Sequence, residues 1–190
     1  MKYYEWISDN IRMPDGDCWY IDFPIESYNG VWFSDCKRID SWDERLIATY
    51  PQCTFIHVDF QPCRYPVLSG HFFNHLNSLA PGTIQFLPFR MQQADGTNEI
   101  SGYGLGQILN RVDCLDKERT QVADGVWRAM PNGNFRIRGD ICLRRRAVRD
   151  HQIFRVLGTS VKLVVREDIK ETVAAHGFTG CRFIELRISE

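Results

Sequence analysis

Val161-Lys162-Leu163-Val164-Val165, then Arg166-Glu167-Asp168-Ile169-Lys170-Glu171-Thr172-Val173-Ala174-Ala175-His176-Gly177-Phe178, then Cys181 to Ile188, reads as strand, helix and strand again. The first run predicts a short strand. Glu167 and Asp168 place carboxylates in the first helical turn, where the helix dipole favours them. Ile169, Val173 and His176 recur on the inner side. Gly177 suits the left-handed position after a helix, and Phe178 supplies the apolar contact that accompanies such a cap. The closing run from Cys181 to Ile188 is predicted to return to the sheet.

Working outward, Ile153–Val156 predicts another short strand. Val126 to Met130 and Phe135 to Leu143 flank Pro131-Asn132-Gly133-Asn134, a hairpin signal because Asn and Gly tolerate positive φ. Phe135, Ile137, Ile141 and Leu143 then face the core, with Arg136 and Arg138 in water. Tyr103 to Leu115 is apolar and extended. Thr83 to Phe89 is a strand whose Pro88 calls for an edge or a bulge. From about Ser69 to Ala80, the spacing of Phe72, Phe73, Leu76 and Leu79 predicts a helix, ended by Pro81-Gly82. Thr54 to Phe60 alternates as a half-buried strand does, with Ile56, Val58 and Phe60 on one face. Ser41-Trp42-Asp43-Glu44 fits a capping box and predicts a helix through Leu46, Ile47 and Tyr50 to Pro51. The first forty residues read as short strands joined by turns such as Asp15-Gly16 and Asn29-Gly30. The expectation is one strand-rich α+β domain over residues 1–190, with a mixed or antiparallel sheet and two or three helices.

The 190 residues, 44% of them hydrophobic and 13% aromatic, are enough for a substantial core; chains of this size remove roughly 70% of their unfolded surface from water. A net charge of −1 and aromatics throughout exclude a disordered chain. No apolar run reaches the ~18 residues of a bilayer span. Seven widely spaced cysteines without a Cys-x-x-Cys pair point to a reducing compartment, and with no signal-type N-terminus the expected location is the cytoplasm. The charge is polarised. Residues 1–100 carry net −6 and residues 101–190 net +5. Either the first half faces a basic partner or the two halves pair with each other.

Few residues suggest chemistry. His71 and His75 are spaced to share a metal ion on one helix face, but neither the Glu of a zinc protease nor a full ligand set accompanies them. The expected cofactor and metal content is therefore none. Arg144-Arg145-Arg146 with Arg149, Arg136 and Arg138 is the one dense basic cluster and carries the alternative reading, a nucleic-acid-binding protein. Asp140 and Asp150 bracket it and no RNA-binding aromatic signature is present, so a solvated face is preferred. Nucleophile motifs are absent. Ser101-Gly102-Tyr103-Gly104-Leu105-Gly106 lacks the Lys and Ser/Thr of a phosphate loop, and a bend in a strand explains it better.

A pattern remains. Ile108-Leu109-Asn110-Arg111-Val112-Asp113-Cys114-Leu115-Asp116, extending to Thr120, resembles the V-D-C-L-D-x-x-x-[ST] strand end of immunity protein family eleven of bacterial polymorphic toxin systems. Ile153-Phe154-Arg155 is similar to that family's I-F-R segment. Val165 to Glu171, running on to Gly177-Phe178-Thr179-Gly180-Cys181-Arg182-Phe183, is similar to its helix followed by G-[LF]-x-G-x-x-F. The resemblance covers roughly residues 65–187 in order and leaves residues 1–60 unmatched. It implies a cytoplasmic, non-catalytic protein that binds and neutralises a cognate toxin. Asp116, Phe154, Arg155, Gly177, Gly180 and Phe183 match the pattern and read as structural, with Asp116 and Arg155 able to form an internal ion pair. A toxin that attacks nucleic acids or nucleotides needs a basic cleft, so the acidic first half is where contact is expected. The candidate contacts are Trp32, Asp35, Asp40, Trp42, Asp43 and Glu44.

Overall fold

The computed structural model describes residues 1–9, 20–25, 27–29, 31–51, 55–61, 63–123, 125–130, 133–159 and 162–190. In chain order, β1 (Tyr3–Ser8), β2 (Ser27–Tyr28), β3 (Val31–Trp32), β4 (Ile47–Tyr50), β5 (Phe60–Gln61) and β6 (Val67–Ser69) lead into helix α1 (Gly70–Leu79). Next come β7 (Ile84–Gln93), β8 (Ile100–Ile108), β9 (Arg111–Val112), β10 (Cys142–Arg144) and a single helical turn, α2 (Arg145–Val148). β11 (Ile153–Val156), β12 (Leu163–Arg166), α3 (Glu167–Ala175), β13 (Cys181–Glu185) and β14 (Arg187–Ser189) follow. The fold is α+β and strand-rich.

Two five-stranded sheets dominate, ordered β13-β1-β12-β11-β9 and β4-β7-β8-β6-β5. Each is antiparallel except at one edge, where β9 joins β11 and β4 joins β7 in parallel. The N-terminal strand β1 lies between β12 and β13, so the first residues of the chain complete a sheet built from the last third. A layer of Trp6, Phe60, Phe72, Leu76, Ile153, Val165 and Ile169 binds α1 and α3 to both sheets. A second cluster, around Phe23, Phe33, Tyr50, Leu87 and Phe89, underlies the N-terminal loops. The third, with Phe154, Leu143 and Val148, covers the far face of the first sheet.

Much of this follows locally from the residues. Ser69 Oγ accepts from the Phe72 amide at 3.2 Å and starts α1, whose Phe72 and Leu76 are fully buried; such a Phe contributes about 1.5–3 kcal/mol by leaving water. Pro88 sits in β7 before the stretch that β4 pairs, beside a bulge between Phe89 and Met91, so its missing N–H costs no ladder bond on that side. In β8, Gly102 takes φ +88°, the expected bend. Gly104 has a different reason: the Phe86 ring lies where its side chain would be. Gly177 follows α3 at φ +70°, as its cap requires.

Other expectations are corrected. No helix begins at Ser41. Asp43 uses its carboxylate on the Arg45 amide (3.0 Å) and guanidinium, the Leu46 amide donates to Asp43 O, and Ile47–Tyr50 joins β7 as a strand. Sheet pairing outweighed the capping signal. The Thr54–Phe60 strand shrinks to β5, because Gln61 Nε2 takes the Ile56 and Val58 carbonyls into a turn; Thr54 itself lies outside the described residues. The hairpin around Gly133 closes, with Met130 N donating to Asn134 O, but among the described residues the Val126–Met130 run bridges its partner at Ala129–Phe135 alone, and Ile137 bridges Val122 instead. Phe135 N donates instead to Gly158 O, which leaves Phe135 and Ile137 half-buried. Leu186 interrupts the final strand. His176 is exposed rather than inward-facing. Asp15-Gly16, Cys18, Gly30, Cys53, Pro131 and Asn132 lie outside the described residues.

Candidate partner-binding face

The six candidate contacts converge on one region. β2 and β3 form a hairpin through Asn29, which adopts φ +48°. Asn29 Nδ2 donates to Ser41 O at 3.3 Å and Tyr28 packs on Trp42, with ring centroids 4.9 Å apart, so the hairpin leans against the Ser41–Arg45 turn. Asp35 N donates to Trp32 O and keeps those two residues on one turn.

This region is clamped to the second sheet by two glutamines that sequence reasoning passed over. Gln85, from β7, accepts from Ile39 N (2.9 Å) and donates to Ile39 O (2.7 Å). The buried Gln107, from β8, donates to Lys37 O at 3.0 Å. A polar side chain inside an apolar strand pattern was the available signal, since a buried amide needs partners. With Ile39 held, Asp40 projects into solvent, and Glu44 is exposed as well.

Trp32 and Trp42 differ. Trp32 is 51% exposed. Trp42 is half-buried, its ring stacked near Phe23 and its Nε1 donating to Pro88 O at 2.6 Å. Asp43 is held by Arg45, whose hydrogen bonds lower its carboxyl below the usual range. The surface is less acidic than expected. Lys37, Arg38 and Arg45 stand among Asp35, Asp40, Asp43 and Glu44, so residues 31–46 carry net −1. What the face offers is an exposed indole amid mixed charge on a fixed backbone.

Half of the basic cluster stands beside carboxylates at the surface. Arg144 pairs with Asp113 (3.1 Å), Arg145 with Glu190 (3.2 Å) and Arg149 with Asp150 (3.2 Å). His71 and His75 lie on α1, where His75 meets His176 with ring centroids 4.2 Å apart. Among the described residues no three His, Cys, Asp or Glu side chains converge to hold a metal ion.

The pattern residues act within the fold. Asp116 caps a turn by accepting from the Glu118 and Arg119 amides. Its nearest cation is Arg119 (3.9 Å); the suggested pair with Arg155 does not form, because Arg155 lines a cavity elsewhere. Phe154 is fully buried, Phe183 stacks near Trp6, and Gly180 approaches the Phe60 backbone.

With these features in place, comparison with known families is informative. The model of the Immunity protein family (Imm11) matches residues 14–187. The chain belongs to that family. The match extends well upstream of the stretch legible by eye and takes in the loop from Trp32 to Glu44. Comparison with curated proteins gives no match.

Proposed function

We propose that this protein is a non-catalytic, cytoplasmic immunity protein that binds a cognate bacterial polymorphic toxin and blocks its active cleft. The carrying observation is the family match over residues 14–187. The clamped loop offers what a tight inhibitor needs: an exposed aromatic anchor, Trp32, on a backbone that loses little entropy on binding. Asp40 and Glu44 form the charged rim that steers a basic cleft toward it. The nucleic-acid reading is weakened because three of the arginines that would meet phosphate already hold carboxylates.

The test is co-purification with the toxin from the native host, followed by affinity measurement for Trp32→Ala and for the charge reversal of Asp40, Asp43 and Glu44. A loss of about tenfold or more for Trp32→Ala is expected of a central anchor. Unchanged affinity and salt dependence in both folded variants would remove this face from consideration.

A further inference from the structure

Arg155 lies on β11 in a layer where an arginine is costly. Its strand neighbours Ile153 and Val156 are fully buried, and Arg155 itself is 5% exposed. Its backbone N–H donates to Asn110 O, but among the described residues no hydrogen bond or ion pair reaches the guanidinium, and Nε is sealed from solvent without a partner. A guanidinium does not shed its proton to escape burial. An uncompensated buried charge is strongly destabilising.

The surroundings do not neutralise it. Its electrostatic neighbours are the Cys36 thiol, the Tyr65 hydroxyl and the Arg111 guanidinium. Burial pushes both the thiol and the phenol upward, so each stays neutral at physiological pH. Glu5 is near, but its carboxylate is gripped by Lys162 Nζ at 2.6 and 2.7 Å.

Beside Arg155 there is room. A cavity of about 180 Å3 is lined by Arg155, Arg64, Glu5, Trp6, Phe60 and Leu163. At about 30 Å3 per water, that is space for about six waters or one small organic molecule. One wall is cationic, Trp6, Phe60 and Leu163 give an apolar wall, and Ser8, Cys63, Tyr65 and the Lys162-bound Glu5 supply polar surface between them. Such a lining suits a carboxylate with an apolar body better than phosphate, which keeps a large hydration shell that the apolar wall cannot replace.

We propose that this cavity is a carboxylate-binding site, in which Arg155 takes the carboxylate through its guanidinium fork and Trp6, Phe60 and Leu163 receive the attached hydrocarbon. The carboxylate comes either from a free short-chain acid or from an acidic side chain of a protein partner. The site stands independently of the toxin reading, since its first test uses no toxin.

The full-length protein is titrated with acetate, butyrate, succinate and inorganic phosphate at constant ionic strength, following the Arg155 Nε–H resonance and Trp fluorescence. Saturable shifts with the carboxylates, tighter for butyrate than acetate and absent with phosphate, are expected. Arg155→Met, which keeps the volume and removes the buried charge, should fold and lose about tenfold or more in butyrate affinity, the worth of a charged hydrogen-bonded contact. No saturable carboxylate shift, an equal response to phosphate, or full butyrate affinity in Arg155→Met each overturns the proposal. Mass analysis of acid extracts from natively purified protein separates the two sources. A recovered short-chain acid that is lost in Arg155→Met identifies the free ligand. An empty cavity with butyrate competing against a bound protein partner identifies the side chain.

Discussion

Gly180 approaches Phe60 so closely that a β-carbon on it would run into the Phe60 carbonyl oxygen, and its φ is +80°. This contact joins the turn after α3 to β5, and so one sheet to the other. Gly177, three residues earlier, has similar φ but open space around it. Gly177→Ala should therefore cost only the left-handed penalty, about 1–2 kcal/mol. Gly180→Ala adds a backbone collision and should cost distinctly more, about 3 kcal/mol or above. Urea midpoints of the two variants check the difference, which vanishes if the close approach is not real.

Asp59 fastens the same junction. Its carboxylate accepts from Ser69 Oγ (2.8 Å), Thr179 N (3.0 Å) and Thr179 Oγ1 (3.2 Å). Asp59→Ala should lose about 1 kcal/mol, since the hydrogen bonds that tie Ser69 to Thr179 go with it while the exposed Thr179 amide turns to water. Hydrogen exchange at Thr179 should speed up by more than the global loss of stability accounts for.

The two tryptophans of the candidate face separate binding from folding. Trp42→Phe keeps the ring packing and loses the bond to Pro88 O, for about 1 kcal/mol. Trp32→Ala removes an exposed side chain and should stay within about 0.5 kcal/mol. Thermal unfolding of both variants tests this, and it qualifies Trp32→Ala as a clean probe of partner binding.

His75 makes stability depend on pH. Burial first, then the charges of His176 and His71, lower its pKa below the ordinary value of 6.5. The unfolded chain therefore binds the proton more readily, and stability falls as pH drops through the unfolded pKa towards the folded one. Denaturant midpoints should decline as the pH falls through the ordinary histidine range, and His75→Phe should flatten that decline. An unaltered slope in the variant would assign it to other groups.

Burial raises the thiols of Cys63 to about 11 and of Cys114 and Cys181 to about 12. Little thiolate exists at pH 8, and the thiolate is the reactive form. Iodoacetamide should modify these three in the native protein far more slowly than in urea, as peptide mass spectrometry would record.

The sequence by itself determined the elements whose signals are local. Ser69 and the Phe72–Leu76 spacing fixed α1. Glu167, Ile169, Val173 and Gly177 fixed α3, and Pro88 marked the irregularity in β7. The resemblance over residues 65–187 likewise rests on short runs that keep their order. Tertiary structure decided everything that depends on distant partners. Ser41–Tyr50 carries a helix signal worth about 1 kcal/mol at its cap, which pairing with β7 outweighs. The roles of Gln85 and Gln107, the half-burial of Trp42 against the exposure of Trp32, and the isolation of Arg155 from Asp116 all arise between segments about 40 to 70 residues apart. Residue type reveals what a side chain prefers as a neighbour, and only the closed sheets determine which neighbour it receives.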